Sequence, residues 1–103
     1  SPLDAGQVSH FGLRETLYIY MAFCAWAGKY VASAEQCQAL IRRLAGLTER
    51  LPLDEAALAE LKAVDQAVQV LRGSIPATAA ANYEQDQRLI AMYSPGIQKR
   101  ELD

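Results

Sequence analysis

Hydrophobic residues recur along most of the chain at the spacing of three to four residues that is typical of amphipathic helices. No stretch shows the strict alternation of a β-strand. The stretch from Ser33 to Leu51 is the clearest case, because Ser33 and Gln36 form a capping box at its start. The apolar positions that follow fall on one stripe of a helix, namely Cys37, Leu40, Ile41, Leu44, Leu47 and Leu51.

A second amphipathic helix is predicted after Pro52. Asp54 is a good N-cap, Glu55 lies in the first turn where the helix dipole favours an anion, and Leu53 is placed to pack against Leu58. Gly73 has the residue type of a C′ position, just beyond the last helical turn. The predicted buried stripe of this helix consists of Leu58, Leu61, Val64, Val68 and Leu71.

Residues 77–93 predict a further helix, which Ser94-Pro95-Gly96 ends. Tyr83 lies on its apolar face. The ends of the chain, residues 1–8 and 97–103, are expected to be loosely ordered.

The first predicted helix contains LYIYMAFCAWAGKY, residues 17–30, which is apolar or weakly polar on every side. Such a helix is central in its domain or covered by a partner. It is too short for a membrane span, because Glu15 and Lys29 bound the uncharged run and a span needs about 20 apolar residues. Short connections favour antiparallel neighbours, so the sequence predicts a single all-α domain: a compact antiparallel bundle of about four helices with a central apolar first helix.

The net charge of −2 and the pI of about 5.3 argue against nucleic-acid binding, which needs a clustered positive surface. The negative charge is concentrated in residues 51–86. This acidic segment suits a basic protein partner, and it equally suits a solvated surface that maintains solubility.

The sequence contains no catalytic or cofactor-binding signature. His10 is the only histidine, and Cys24 is far from it along the helix, so a nucleophile and base pair is not expected. His10 and Met21 would lie roughly 16 Å apart on one helix, too far to ligate the same haem. The two cysteines and one histidine do not make a zinc site, and no glycine-rich phosphate loop is present. We therefore predict a protein that is not an enzyme and that holds no metal or cofactor.

Cys24 and Cys37 lie about equally far from the connection between the first two helices, so a helical hairpin would bring them level. They could then form a disulfide, which would indicate an exported, periplasmic protein, or remain buried reduced thiols, which would indicate the cytoplasm. The spacing leaves both alternatives open.

Three segments, SAEQCQALIRRL, DEAALAELKAVDQAV and YEQDQRLIAMY, resemble in order and spacing a bacterial type VI secretion immunity protein of the kind that neutralises an NAD(P)-hydrolysing toxin. The resemblance extends from Ser33 to Tyr93. It implies a small, non-catalytic, acidic helical domain that occludes the active site of a cognate toxin. The expected contacts are Tyr83, as an anchor if it is exposed, and the carboxylates of Asp54, Glu55, Glu60, Asp65, Glu84 and Asp86.

Two other roles fit the same pattern. One is an exported adaptor whose first two helices are linked by a Cys24–Cys37 disulfide and which is similar to secretion pilotins in size and class. It would bind the amphipathic helix of a partner in a groove beside the first helix. A homodimer through the apolar first helix is compatible with either function.

Overall fold

The computed structural model describes residues 10–83, and in this part of the chain it contains four helices and no strand. The helices are α1 (His10–Tyr30), α2 (Ala34–Thr48), α3 (Glu55–Gly73) and α4 (Ala77–Tyr83). The predicted all-α bundle is therefore confirmed. The remaining predictions, for residues 1–8, for the helix beyond Tyr83 and for residues 97–103, lie outside the described residues.

Helix α1 supplies the largest share of the described core, with Leu17, Cys24 and Ala27 completely buried and Trp26 only 1% exposed. It packs most extensively against α2, to which residues 31–33 connect it. Two apolar or aromatic residues of α1 stay accessible, because Ile19 is 39% exposed and Tyr30 is 53% exposed. The helix continues through Gly28 to Tyr30.

Helix α2 begins as the capping box predicted. The Ser33 side chain accepts a hydrogen bond from the backbone N–H of Gln36 at 3.3 Å. Cys37, Leu44 and Leu47 are buried in the core, and Leu40, Ile41 and Leu51 pack partly buried against it. The helix ends at Thr48, before the predicted end at Leu51.

Helix α3 begins where the sequence predicted, because the Asp54 side chain accepts a hydrogen bond from the Ala57 N–H at 2.8 Å. The stripe of buried residues on α3 differs from the predicted stripe at one position. Ala57 is fully buried, whereas Leu58, one residue and about 100° further round the helix, is 43% exposed. Leu61, Val64 and Val68 continue the stripe from Ala57, so the smaller residue occupies the inward position.

The predicted C′ role of Gly73 is also wrong. Gly73 is the last residue of α3, and Ser74 is the C-cap with right-handed backbone angles. The Ser74 hydroxyl donates to the Leu71 carbonyl at 2.7 Å, which satisfies one of the carbonyl groups that a helix end leaves unpaired. A residue with left-handed backbone is therefore not needed here.

None of the helices in residues 10–83 combines the length and the apolar character that crossing a bilayer requires.

Candidate protein-binding surface

A groove lies between α2 and α3. These two helices pack less closely against each other than α1 and α2 do. Its volume is about 450 Å³. We call it the α2–α3 groove, and its lining residues are Gln36, Cys37, Ala39, Leu40, Arg43, Ala67, Val70, Leu71 and Ser74.

The sequence explains why the two helices leave this space open. Ala39 on α2 and Ala67 on α3 have side chains too short to fill the gap between helix backbones. Leu40 and Leu71 pack partly buried against the core and form apolar walls. Val70 is 74% exposed at the rim. The result is an apolar concavity with an exposed apolar edge.

A salt bridge between Arg43 and Glu60 borders the groove. Arg43 Nε donates to Glu60 Oε2 at 3.2 Å, and Nη2 donates to the second carboxylate oxygen. The bond from Arg43 lowers the pKa of Glu60, and the bond to Glu60 raises the pKa of Arg43. This two-point contact gives the groove a charged border that links α2 to α3.

The predicted acidic contact residues do not form one patch. Asp54 is the N-cap of α3 and also accepts from Arg50 Nη2 at 3.4 Å. Glu60 bonds to α2. Asp65 faces α1, where it accepts a hydrogen bond from the Tyr20 hydroxyl at 2.7 Å.

Glu55 differs from these three carboxylates. It is exposed in the first turn of α3, and its carboxylate has no bonding partner among residues 10–83. Glu84 and Asp86 lie outside the described residues. Of the predicted acidic contacts on α3, Glu55 is therefore the one whose carboxylate is unengaged and open to solvent.

Both cysteines carry free thiols and are buried. They lie close enough for Cys37 to affect the ionisation of Cys24, as the hairpin prediction expected. Burial, with a smaller contribution from Cys37, raises the pKa of Cys24 to about 12, and burial raises that of Cys37. In this reduced form the thiols are protonated and unreactive at neutral pH.

An aromatic pocket of about 270 Å³ lies beside the other face of α3. Its lining residues in the described part of the chain are Phe23, Trp26, Arg72, Ile75 and Tyr83. The Tyr83 ring meets Trp26 edge to face at 4.8 Å and Phe23 at 5.7 Å, measured between ring centroids. Tyr83 is thus partly buried against α1 and does not meet the condition of exposure under which we predicted it as an anchor.

Sequence reasoning missed the residues that distinguish these two concavities. Val70 lies off the predicted stripe of α3, and its apolar type at an outward position was the available signal. Arg72 falls within the acidic segment 51–86, and nothing local in the sequence places it beside aromatic rings. Both residues come to line these concavities only when α3 packs on the α1–α2 hairpin.

The polar groups that line the groove are an amide, a hydroxyl, a buried thiol and an arginine that is already paired. Within residues 10–83, no three His, Cys, Asp or Glu side chains come together where they could hold a metal ion. Comparison with protein-family models, with curated proteins and with solved structures finds no match to this chain.

Proposed function

We propose that this protein is a non-catalytic helical immunity protein that binds a bacterial toxin through the α2–α3 groove and blocks the toxin's active site. The observation that carries the proposal is the apolar groove with Val70 exposed at its rim. Exposed apolar surface next to a concavity is a feature of protein-binding sites, since a partner is needed to remove it from water.

The charges around the groove support binding to a basic partner. Glu55 is exposed at the start of α3 and its carboxylate bonds to no residue from 10 to 83, while Glu60 presents its charge together with that of Arg43. Exposed carboxylates at the border of an interface accelerate encounter with a positively charged surface, and their effect falls as the salt concentration rises. The expected interface therefore has an apolar centre at Val70 and a polar border.

The proposed mechanism is steric. A toxin loop or helix would place apolar side chains between Leu40 and Leu71, and the body of the bundle would cover the neighbouring active site. The segments that resemble an immunity protein include most of α2 and α3, the two helices that form the groove.

A second function is favoured by the shape of the same surface. An apolar groove between two helices suits the amphipathic helix of a partner, as the adaptor hypothesis expects. The exported form of that hypothesis also requires a Cys24–Cys37 disulfide, whereas both thiols are free in this structure. An adaptor with this groove would bind a helical peptide without inhibiting any enzyme.

Co-expression with the product of the adjacent reading frame tests the leading proposal. The full-length protein should rescue the growth of cells that express a toxic neighbour. Val70→Glu should abolish the rescue and weaken binding at least about tenfold, because it places a charge in the apolar centre of the contact. Ala63→Glu is the matched control, since Ala63 is exposed on the same helix but does not line the groove.

Surface plasmon resonance on the purified pair, which measures association and dissociation rates, extends the test to Glu55. Glu55→Gln should mainly slow association and reduce its salt dependence, leaving dissociation nearly unchanged. If the neighbour is not toxic alone, or stays toxic when this protein is present, the immunity proposal fails. If Val70→Glu and Ala63→Glu bind the toxin equally well, the groove is not the contact site.

A further inference from the structure

In the aromatic pocket, the positively charged Arg72 side chain lies beside aromatic side chains. Arg72 extends over the face of Phe23, with its guanidinium carbon 5.1 Å from the ring centroid. Trp26 and Tyr83 meet edge to face at the same pocket. No carboxylate among residues 10–83 lies within ion-pairing distance of Arg72, although Arg43 and Arg50 each have such a partner.

The charge of Arg72 acts on the groups around the pocket. Burial raises the pKa of Tyr83 and of Cys24, and the guanidinium opposes this rise in both cases. Asp65 and Arg72 both act on the Tyr20 hydroxyl, but no carboxylate of residues 10–83 forms an ion pair with Arg72. Arg72 therefore gives the pocket a positive charge beside its apolar sides.

We propose that the aromatic pocket binds small monocarboxylates that carry an aromatic ring or a short aliphatic chain. The carboxylate accepts hydrogen bonds from the Arg72 guanidinium, whose planar fork matches it in a two-point contact. The apolar end lies among Phe23, Trp26 and Tyr83, in the way that small-molecule sites combine an apolar lining with a few polar groups that fix orientation.

The size and the charge of the pocket both limit the ligand. A volume of about 270 Å³ equals the space of about nine water molecules, so the ligand has roughly ten non-hydrogen atoms. A single guanidinium neutralises one negative charge. A monoanion is therefore favoured over a dianionic phosphate, which would leave one charge uncompensated beside three aromatic rings. This site is separate from the α2–α3 groove and does not depend on the proposed toxin binding.

The chain contains one tryptophan, which gives a direct assay. In ¹⁵N-labelled full-length protein, the single indole N–H signal belongs to Trp26 at the pocket. Titration with phenylacetate should shift this signal in a saturable way, with a dissociation constant of roughly 1 mM or below for a ligand of this size. The uncharged analogue 2-phenylethanol should bind at least about tenfold more weakly, because it lacks the charge-assisted contact.

Two variants assign the effect to Arg72. Arg72→Gln should weaken phenylacetate binding at least about tenfold and should leave 2-phenylethanol binding within about twofold. Arg42→Gln, at an exposed arginine of α2 away from the pocket, is the control and should bind both compounds as the unchanged protein does. Circular dichroism confirms that each variant is folded.

Three outcomes overturn the proposal. One is the absence of a saturable shift with phenylacetate up to about 20 mM, roughly twentyfold above the expected dissociation constant. The second is equal affinity for phenylacetate and 2-phenylethanol. The third is undiminished phenylacetate binding by a folded Arg72→Gln variant.

Discussion

Gly28 lies directly against Cys37: a Cβ atom added at Gly28 would come within 2.9 Å of the Cys37 Cβ and within 3.4 Å of the Ala34 Cα. The missing side chain therefore sets how closely α1 approaches the first turn of α2. Both neighbouring atoms belong to the rigid part of the helix, so they cannot move aside as the end of a flexible side chain would.

Gly28→Ala should therefore destabilise the protein. Alanine gains about 1 kcal/mol in helix propensity, but the overlap with Cys37 costs about 1–3 kcal/mol, so we expect a net loss of about 1 kcal/mol. Gly46→Ala is the matched control, because nothing lies within 4 Å of a Cβ at that position of α2. It should stabilise the protein by up to about 1 kcal/mol. Urea denaturation measures both, and equal gains from the two substitutions would contradict the close contact.

The hydrogen bond between Tyr20 and Asp65 should contribute measurably to stability. Tyr20 is 3% exposed, and its hydroxyl donates to Asp65 Oδ1 at 2.7 Å. Tyr20→Phe removes this bond while keeping the ring, and we expect a loss of about 1–2 kcal/mol in the free energy of unfolding. Tyr18→Phe serves as the control, since the Tyr18 hydroxyl makes no hydrogen bond with any residue from 10 to 83, and it should change stability by less than about 0.5 kcal/mol. Equal effects of the two substitutions would mean that the Asp65 bond contributes nothing.

Stability should fall at alkaline pH. Burial is the main cause that raises the pKa of Tyr20 from 10.0 to about 12 and that of Cys24 from 9.0 to about 12. Both groups bind their protons more tightly in the folded than in the unfolded chain, so their contribution is complete below about pH 9 and is lost as the pH rises towards 12. Thermal denaturation between pH 8 and pH 11 measures the decline.

Cys24→Ala should flatten this decline, because it removes one of the groups that titrate differently in the two states. Val68→Ala is the control: it also shortens a fully buried side chain, but it removes no titratable group. Its stability should be lower at every pH, with an unchanged pH dependence. The same slope in both variants would show that Cys24 does not take part.

The thiols give a test of compartment as well as of structure. In native protein isolated without reductant, Cys24 and Cys37 should react very slowly with a thiol reagent, since both are buried and have raised pKa values. In denaturant, two thiols per chain should react at once. Finding none would mean a disulfide, and it would favour the exported adaptor over the immunity protein.

The parts of this fold that depend on neighbouring residues were predictable from the sequence. Ser33 and Asp54 cap α2 and α3 because their side chains reach backbone N–H groups only three residues away. The inward stripe of α3 was harder, because Ala57 and Leu58 are adjacent and the packing of the bundle selects the smaller one.

The candidate sites were less predictable. The resemblance and the charge pattern drew attention to the carboxylates, yet Glu60 and Asp65 bond to different helices, which only the tertiary structure reveals. The settings of Val70 and Arg72 likewise depend on how α3 lies on the α1–α2 hairpin. The amino-acid type shows that a residue is apolar or charged, but it does not show which surface of the folded protein that residue will line.

The short connection between α1 and α2 has a consequence for the order of folding. Residues 31–33 close this hairpin over a short stretch of chain, so its formation costs little loop entropy and can precede the docking of α3. The Tyr20–Asp65 bond joins residues 45 positions apart and should form late. Stopped-flow kinetics should then show Gly28→Ala slowing folding and Tyr20→Phe mainly accelerating unfolding. A chain leaving the ribosome would bring its two cysteines together before the segment that carries Asp65 has emerged.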